Sequence, residues 1–160
     1  EAEKVFWNNS ASSEIMPNTD KMIDYINSKG IRSGIVCDMG CSGDALAELL
    51  NKKLPSNKFE FFITSSDYNL TELSRRLFDL ALDKAGLEPS EVWFCGDNIK
   101  SDIEGAAKVG IYPVWYEDLS AIKPWDDLTV APNCKHLHLI DWNDLPRYLE
   151  RPDREISIAI

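Results

Sequence analysis

Residues 92–110, Val-Trp-Phe-Cys-Gly-Asp-Asn-Ile-Lys-Ser-Asp-Ile-Glu-Gly-Ala-Ala-Lys-Val-Gly, constrain the fold of this chain more than any other stretch. An apolar run ends in Gly96-Asp97, a second carboxylate follows at Asp102, and an apolar-periodic segment then runs to Gly110. Two carboxylates therefore crowd one strand-to-helix junction. The carboxyl end of a strand is where an α/β fold gathers its ligands. Capping accounts for part of the pattern: Ser101 or Asp102 suits an N-cap, and Glu104 places negative charge in the first turn, where the helix dipole favours it. Capping does not account for Gly96 beside Asp97, nor for Gly105 and Ala106, small residues that let the helix lie close to a sheet.

Elsewhere the apolar period alternates between helix and strand. Helices are expected over 20–29, 43–53, 75–85, 102–109 and 142–149, with Thr19 or Asp20 as the cap of the first and Gly30 and Gly86 as stops. Strands are expected over 31–37, 59–63, 92–95, 111–116 and 136–140. Strands alternating with helices imply crossover connections and a mainly parallel sheet, an α/β, Rossmann-like arrangement of three layers. Residues 117–133, with Pro124, Trp125 and Pro132, read as a long loop, and 150–155 as a charged tail.

Composition narrows the partners. At 160 residues and 44% apolar, the chain suits one globular domain. Its 27 acidic against 17 basic side chains give a formal net charge of -10 with no basic cluster, which argues against nucleic acid and anionic membranes. Cys37, Cys41, Cys95 and Cys134 form no CxxC pair and sit mostly among apolar residues, as reduced thiols of a cytoplasmic protein would. His136 and His138 alternate along an expected strand, a structural placement that does not resemble a zinc site. No apolar run approaches the roughly 18 residues of a transmembrane helix, and the charged start Glu1-Ala2-Glu3-Lys4 is not a signal peptide.

The string GDNIKSDIEGAAKVGI, with the strand before it, resembles the fourth sequence motif of the haloacid dehalogenase superfamily of Mg-dependent hydrolases, most of which are phosphatases. The resemblance extends from about Met16 to about Leu149. It implies that Asp97 and Asp102 are metal ligands for Mg²⁺, a hard cation that takes one or two carboxylates together with waters and substrate phosphate oxygens. It also implies a small phosphorylated substrate; oligomeric state is not implied. The domain reading that follows is a cap or linker remnant over 1–17, an α/β core over 18–150 and a tail over 151–160.

Three family positions depart from the pattern. The second motif ends its strand in Ser or Thr, often followed by Asn, to orient the phosphoryl group; Cys37 and Asp38 stand there instead. These two are the phosphate- or substrate-binding candidates, although a thiol is a weak donor and an ionised carboxylate only accepts. The family's Lys-Pro pair falls on Glu72 and Leu73. Reversing the sign of that lysine sets another acid near Asp38, Asp97 and Asp102, and two unit charges about 4 Å apart repel by roughly 4 kcal/mol at an effective dielectric near 20. Arg75 or Arg76 could reach in, but solvated helix-start positions describe them better.

The first motif, Asp-x-Asp on an apolar strand, carries the family's nucleophile, and no Asp-x-Asp occurs in the 160 residues. The chain thus resembles the C-terminal two-thirds of such a hydrolase, without the central strand. Covalent phosphoryl transfer then has no nucleophile, so no catalytic residue is assigned, and the sheet has a gap at its centre. Glu155-Ile156-Ser157-Ile158-Ala159-Ile160 alternates with β preference and could pair with that open edge or with another chain.

The expected function is a phosphatase-type hydrolase fold without activity of its own, with a non-catalytic ligand- or protein-binding domain as the alternative. A more distant alternative comes from Asp38-Met39-Gly40-Cys41-Ser42-Gly43-Asp44, which resembles the glycine-rich turn of S-adenosylmethionine-dependent methyltransferases, with Asp67 as the ribose-binding acid. In that reading Ser42 and Asp44 displace two turn glycines, and residues 96–110 have no counterpart.

Overall fold

The computed structural model describes residues 14–70, 74–122, 124, 130–150 and 157–159. Residues 1–13, most of the remnant expected over 1–17, lie outside the described residues, as do Glu72 and Leu73.

The helices form where the apolar period and stop signals place them, with adjusted ends. α1, Thr19–Ser28, buries Met22, Ile23 and Ile26, a one-sided stripe at helical spacing. Its N-cap is Asn18, in the left-handed region at φ 64° and without a side-chain capping bond, rather than Thr19 or Asp20. The Asn18 amide donates instead to Asp141 Oδ1 at 3.1 Å, tying the helix start to the far end of the chain. α2, Gly43–Lys53, is capped by Ser42, whose hydroxyl accepts from the Ala45 N–H at 3.3 Å. α3, Arg75–Ala85, closes on Gly86 at φ 66°, the left-handed stop that glycine adopts without steric cost. α4 spans Glu104–Lys108 and α5 spans Leu145–Leu149, shorter than expected because a π turn (Ile99–Ile103) and a 3₁₀ turn (Trp142–Asp144) precede them.

Among the described residues six strands form: β1 (Ile35–Cys37), β2 (Phe62–Thr64), β3 (Val92–Gly96), β4 (Tyr112–Tyr116), β5 (Leu137–Leu139) and β6 (Ser157–Ala159). The expected strands over 31–37, 59–63 and 136–140 shrink or shift to these bounds. All pairings are parallel, and the strands fall into two sheets, β1-β2 and β5-β4-β3-β6. Within the loop expected over 117–133, a 3₁₀ turn forms at Leu119–Ala121, started by the Asp118 carboxylate accepting from Ser120 N–H at 2.9 Å.

Period-2 alternation distributes the strands over two cores. Trp93 and Cys95 face the core built by α1 and α5, together with Val114, Tyr116 and Leu139. Val92 and Phe94 face the opposite core under α3 and α4, where Phe78 and Ala106 meet Val36 and Ile63 of the other sheet. Ile35, Cys37 and Phe62 point the other way, onto Cys41, Ala45 and Leu46 at the start of α2. The result is a three-layer α/β/α arrangement, with α1, α2 and α5 on one face and α3 and α4 on the other. No disulfide joins the four cysteines.

Phe78 joins the two sheets most directly. It is 1% exposed and meets Phe94 edge-on, with ring centroids 4.9 Å apart. Phe78→Ala is expected to cost about 3–5 kcal/mol of folding stability, as large-to-small changes at buried aromatics do. Urea unfolding followed by tryptophan fluorescence measures it, and a loss under about 1 kcal/mol would show that α3 does not hold the sheets together.

Candidate functional site

β1 and β3 belong to different sheets but both end at one cleft of about 450 Å³, which the residues at and beyond their carboxyl ends surround. Cys37 and Asp38 line it from β1, and Gly96, Asp97, Asn98, Ser101 and Asp102 from β3 and the turn after it. Residues about sixty positions apart in sequence are thereby brought together. All four candidate site residues, Cys37, Asp38, Asp97 and Asp102, share this cleft.

The turn after β3 is held by Asp102. Its Oδ2 accepts the N–H of Asp97 at 3.2 Å and that of Asn98 at 3.0 Å, while Oδ1 accepts the Ser101 hydroxyl at 2.8 Å. Gly96 is required directly beneath it, because a Cβ there would lie 2.5 Å from Asp102 Oδ2 and 2.6 Å from Asp102 Cβ. This close approach explains the Gly96-Asp97 pair that capping left over. The cap itself is Asn98, whose Oδ1 accepts from the N–H groups of Lys100 and Ser101, both at 3.0 Å, so neither Ser101 nor Asp102 is the N-cap. Burial holds Asp102 above the ordinary carboxylate range; the hydrogen bonds from Asn98, Ser101 and Asp97 oppose that rise, and the neighbouring charge of Asp97 adds to it.

On the β1 side, Asp38 accepts the Ser65 hydroxyl through Oδ1 at 2.6 Å. Ser65 is 2% exposed and follows β2 directly, and its N–H donates to the Cys37 carbonyl at 3.1 Å, so it locks the ends of β1 and β2 together. Sequence reasoning missed Ser65; the only signal was hydroxyl residues at the end of an apolar run. Burial pushes the Cys37 thiol up to about 12, with the charges of Cys41, Asp38, Asp102 and Asp67 adding to it. A thiol so placed stays protonated and is a poor nucleophile at neutral pH.

The donor set does not fit a magnesium site as it stands. Asp102 engages both oxygens in its own turn and Asp38 one oxygen with Ser65, and among the described residues no three His, Cys, Asp or Glu side chains are grouped to hold a metal ion. No lysine or arginine lines the cleft among the described residues.

Asp67 has a structural partner rather than a ligand. Its Oδ2 accepts the Gly43 N–H at 2.8 Å, at the start of α2, where the methyltransferase reading needs a nucleotide. Gly43 is itself fixed there, since a Cβ would stand 2.4 Å from the Phe62 carbonyl oxygen.

Asp102 makes a pH test available. Its carboxyl titrates above the ordinary value in the folded chain, so ionising it costs more folded than unfolded. Its penalty is absent below the ordinary aspartate value near 4 and complete above the raised one. The stability of the parent relative to Asp102→Asn is therefore expected to fall as pH rises through that window. Urea midpoints of both proteins across it measure the difference, and one that stays flat or rises would overturn the assignment.

The family model described as haloacid dehalogenase-like hydrolase matches residues 2–110. Among solved structures, a HAD phosphatase from Thermococcus onnurineus is similar at a TM-score of 0.72 and 22% identity, over 94% of this chain and 65% of that one. An uncharacterized protein from Listeria monocytogenes serotype 4b is similar at 0.69 and 15% identity, over 89% and 83%. A 2-haloacid dehalogenase from Pseudomonas syringae pv. Tomato DC3000 is similar at 0.66 and 22% identity, over 91% and 57%. This chain thus spans less than two-thirds of the phosphatase and of the dehalogenase. No curated protein matches it in sequence. With the family model covering most of the chain and these structures sharing its fold, the methyltransferase reading falls away, and the chain belongs to the haloacid dehalogenase-like hydrolases.

Proposed function

We propose that these 160 residues form a haloacid dehalogenase-like domain that binds a small ligand at the β1–β3 cleft without hydrolysing it through a covalent phosphoryl intermediate. The observation that carries this reading is the charge of the cleft. Asp38, Asp97 and Asp102 converge on it, and no basic side chain lines it among the described residues. A transferring phosphoryl group needs its developing charge neutralised and a nucleophile in line. Here the protonated Cys37 and the hydrogen-bonded Asp38 stand at the positions that would orient it, and no Asp-x-Asp is present to attack.

In this reading Asp97 faces the ligand from the turn after β3, and Asp102 is first a structural acid that shapes that turn. Cys37 and Asp38 contact the ligand from the other side. A cytoplasmic setting fits the absence of disulfides among the four cysteines. No helix among the described residues is long and apolar enough to cross a membrane. The second reading is the phosphatase-type hydrolase implied by the family, which these residues could support only with a nucleophile supplied from outside them.

The two readings separate on p-nitrophenyl phosphate. The 160-residue chain is expected to give no turnover above buffer, with or without Mg²⁺. Mg²⁺-dependent release of p-nitrophenol that disappears in Asp97→Asn would overturn the non-catalytic reading and restore the enzyme.

A further inference from the structure

Among the described residues the two sheets share one core but no backbone pairing. β4 covers one edge of β3, so β1 must lie beyond the other edge, and α3 spans the interval by packing Phe78 and Ala81 against Val36 and Ile63 as well as Val92 and Phe94. Openings mark both ends of the gap. At the carboxyl ends of the strands lies the acidic cleft; nearer their amino ends Gly34, Val36, Val92 and Phe94 border a small apolar crevice with about 20 Å³ of free space. β1 and β3 line both openings, yet no backbone pairing joins them among the described residues.

β6 pairs with β3 along the edge that faces this gap, in parallel, with Ser157 opposite Val92, Ile158 opposite Trp93 and Ala159 opposite Phe94. We infer that Ser157–Ala159 is the internal strand of one continuous sheet, seated between β3 and β1 and forming the floor of the acidic cleft. Three observations converge on this placement. The segment runs parallel to β3, as β4 and β5 do and as β2 runs with β1, the direction an internal strand of such a sheet takes. Its register advances toward Gly96, so it points from the apolar crevice toward the cleft. Without an occupant, the facing edges of β1 and β3 would be unpaired backbone between two buried cores, a costly arrangement.

The slot is therefore a strand acceptor whose occupant is this chain's own segment. Backbone pairing supplies the attachment, and such pairing carries little sequence information. The inference does not depend on whether the cleft binds any ligand.

A double variant, Val92→Cys with Ser157→Cys, tests it in the full chain. Register partners on adjacent strands stand within the Cα separation a disulfide accepts. Mild oxidation is expected to bridge the two introduced thiols within a monomer, as read by non-reducing electrophoresis and by mass spectrometry of the linked peptides. A folded monomer that forms no such bridge would overturn the inference, and so would a bridge found only between two chains, which would put a second copy in the slot. Hydrogen exchange on the unaltered chain is independent of whether the variant folds. The consecutive amides of Trp93, Phe94 and Cys95 are expected to exchange at least tenfold more slowly than those of the exposed loop residues Ser56 and Lys58. Protection confined to the amides that face β4 would overturn the placement of β6.

Discussion

Burial of β3 on both faces is the constraint from which the rest of the structure follows. Trp93 and Cys95 enter one core while Val92 and Phe94 enter the other, and these four residues are 3 to 6% exposed. A strand covered on both sides needs helices above and below it, which parallel neighbours with crossover connections supply. Its amino-acid sequence is accordingly apolar without alternation. Once such a strand ends, its chain must turn sharply into the next helix, and here the turn is made by Gly96 lying against Asp102.

That turn shows how one residue serves structure and chemistry in conflict. Asp102 is partly buried, and burial disfavours its charge, yet its oxygens accept two backbone N–H groups and a hydroxyl. These bonds orient the loop that presents Asp97 to the cleft. They also take up three of the roughly four acceptor sites of the carboxylate, leaving less of it for a cation. The facing wall repeats the arrangement, with Asp38 engaged by Ser65 and Cys37 kept protonated. An acidic cleft whose carboxylates are mostly committed to their own walls holds its shape well.

The elements legible in advance were those with a local signature. α1, α2 and α3 appear near their expected bounds because an apolar stripe and a glycine or proline stop are local facts, and Met22, Ile23 and Ile26 are buried together for that reason. Strand bounds were less legible. Arg32 extends the apparent first strand but is drawn into paired hydrogen bonds with Glu60, at 2.8 and 2.7 Å, outside the ladder. The cap assignments failed at Asn18 and Asn98 because a capping residue is defined by where its side chain finds a partner. Asn18 finds Asp141, 123 positions away.

By itself, the sequence determined the fold class and the family, and it pointed to Asp97 and Asp102 as neighbours, because spacing along a strand-turn-helix unit sets where its carboxylates project. Only the tertiary structure decided what those residues can do. Whether a carboxylate is free for a ligand depends on partners distant in sequence, Ser65 for Asp38 and, for the seat of Asp102, the bare backbone of Gly96. The pairing of Ser157–Ala159 with β3 was likewise a contact between residues more than sixty positions apart, open in the sequence as one of several edges and realised only when the sheet offered its uncovered side.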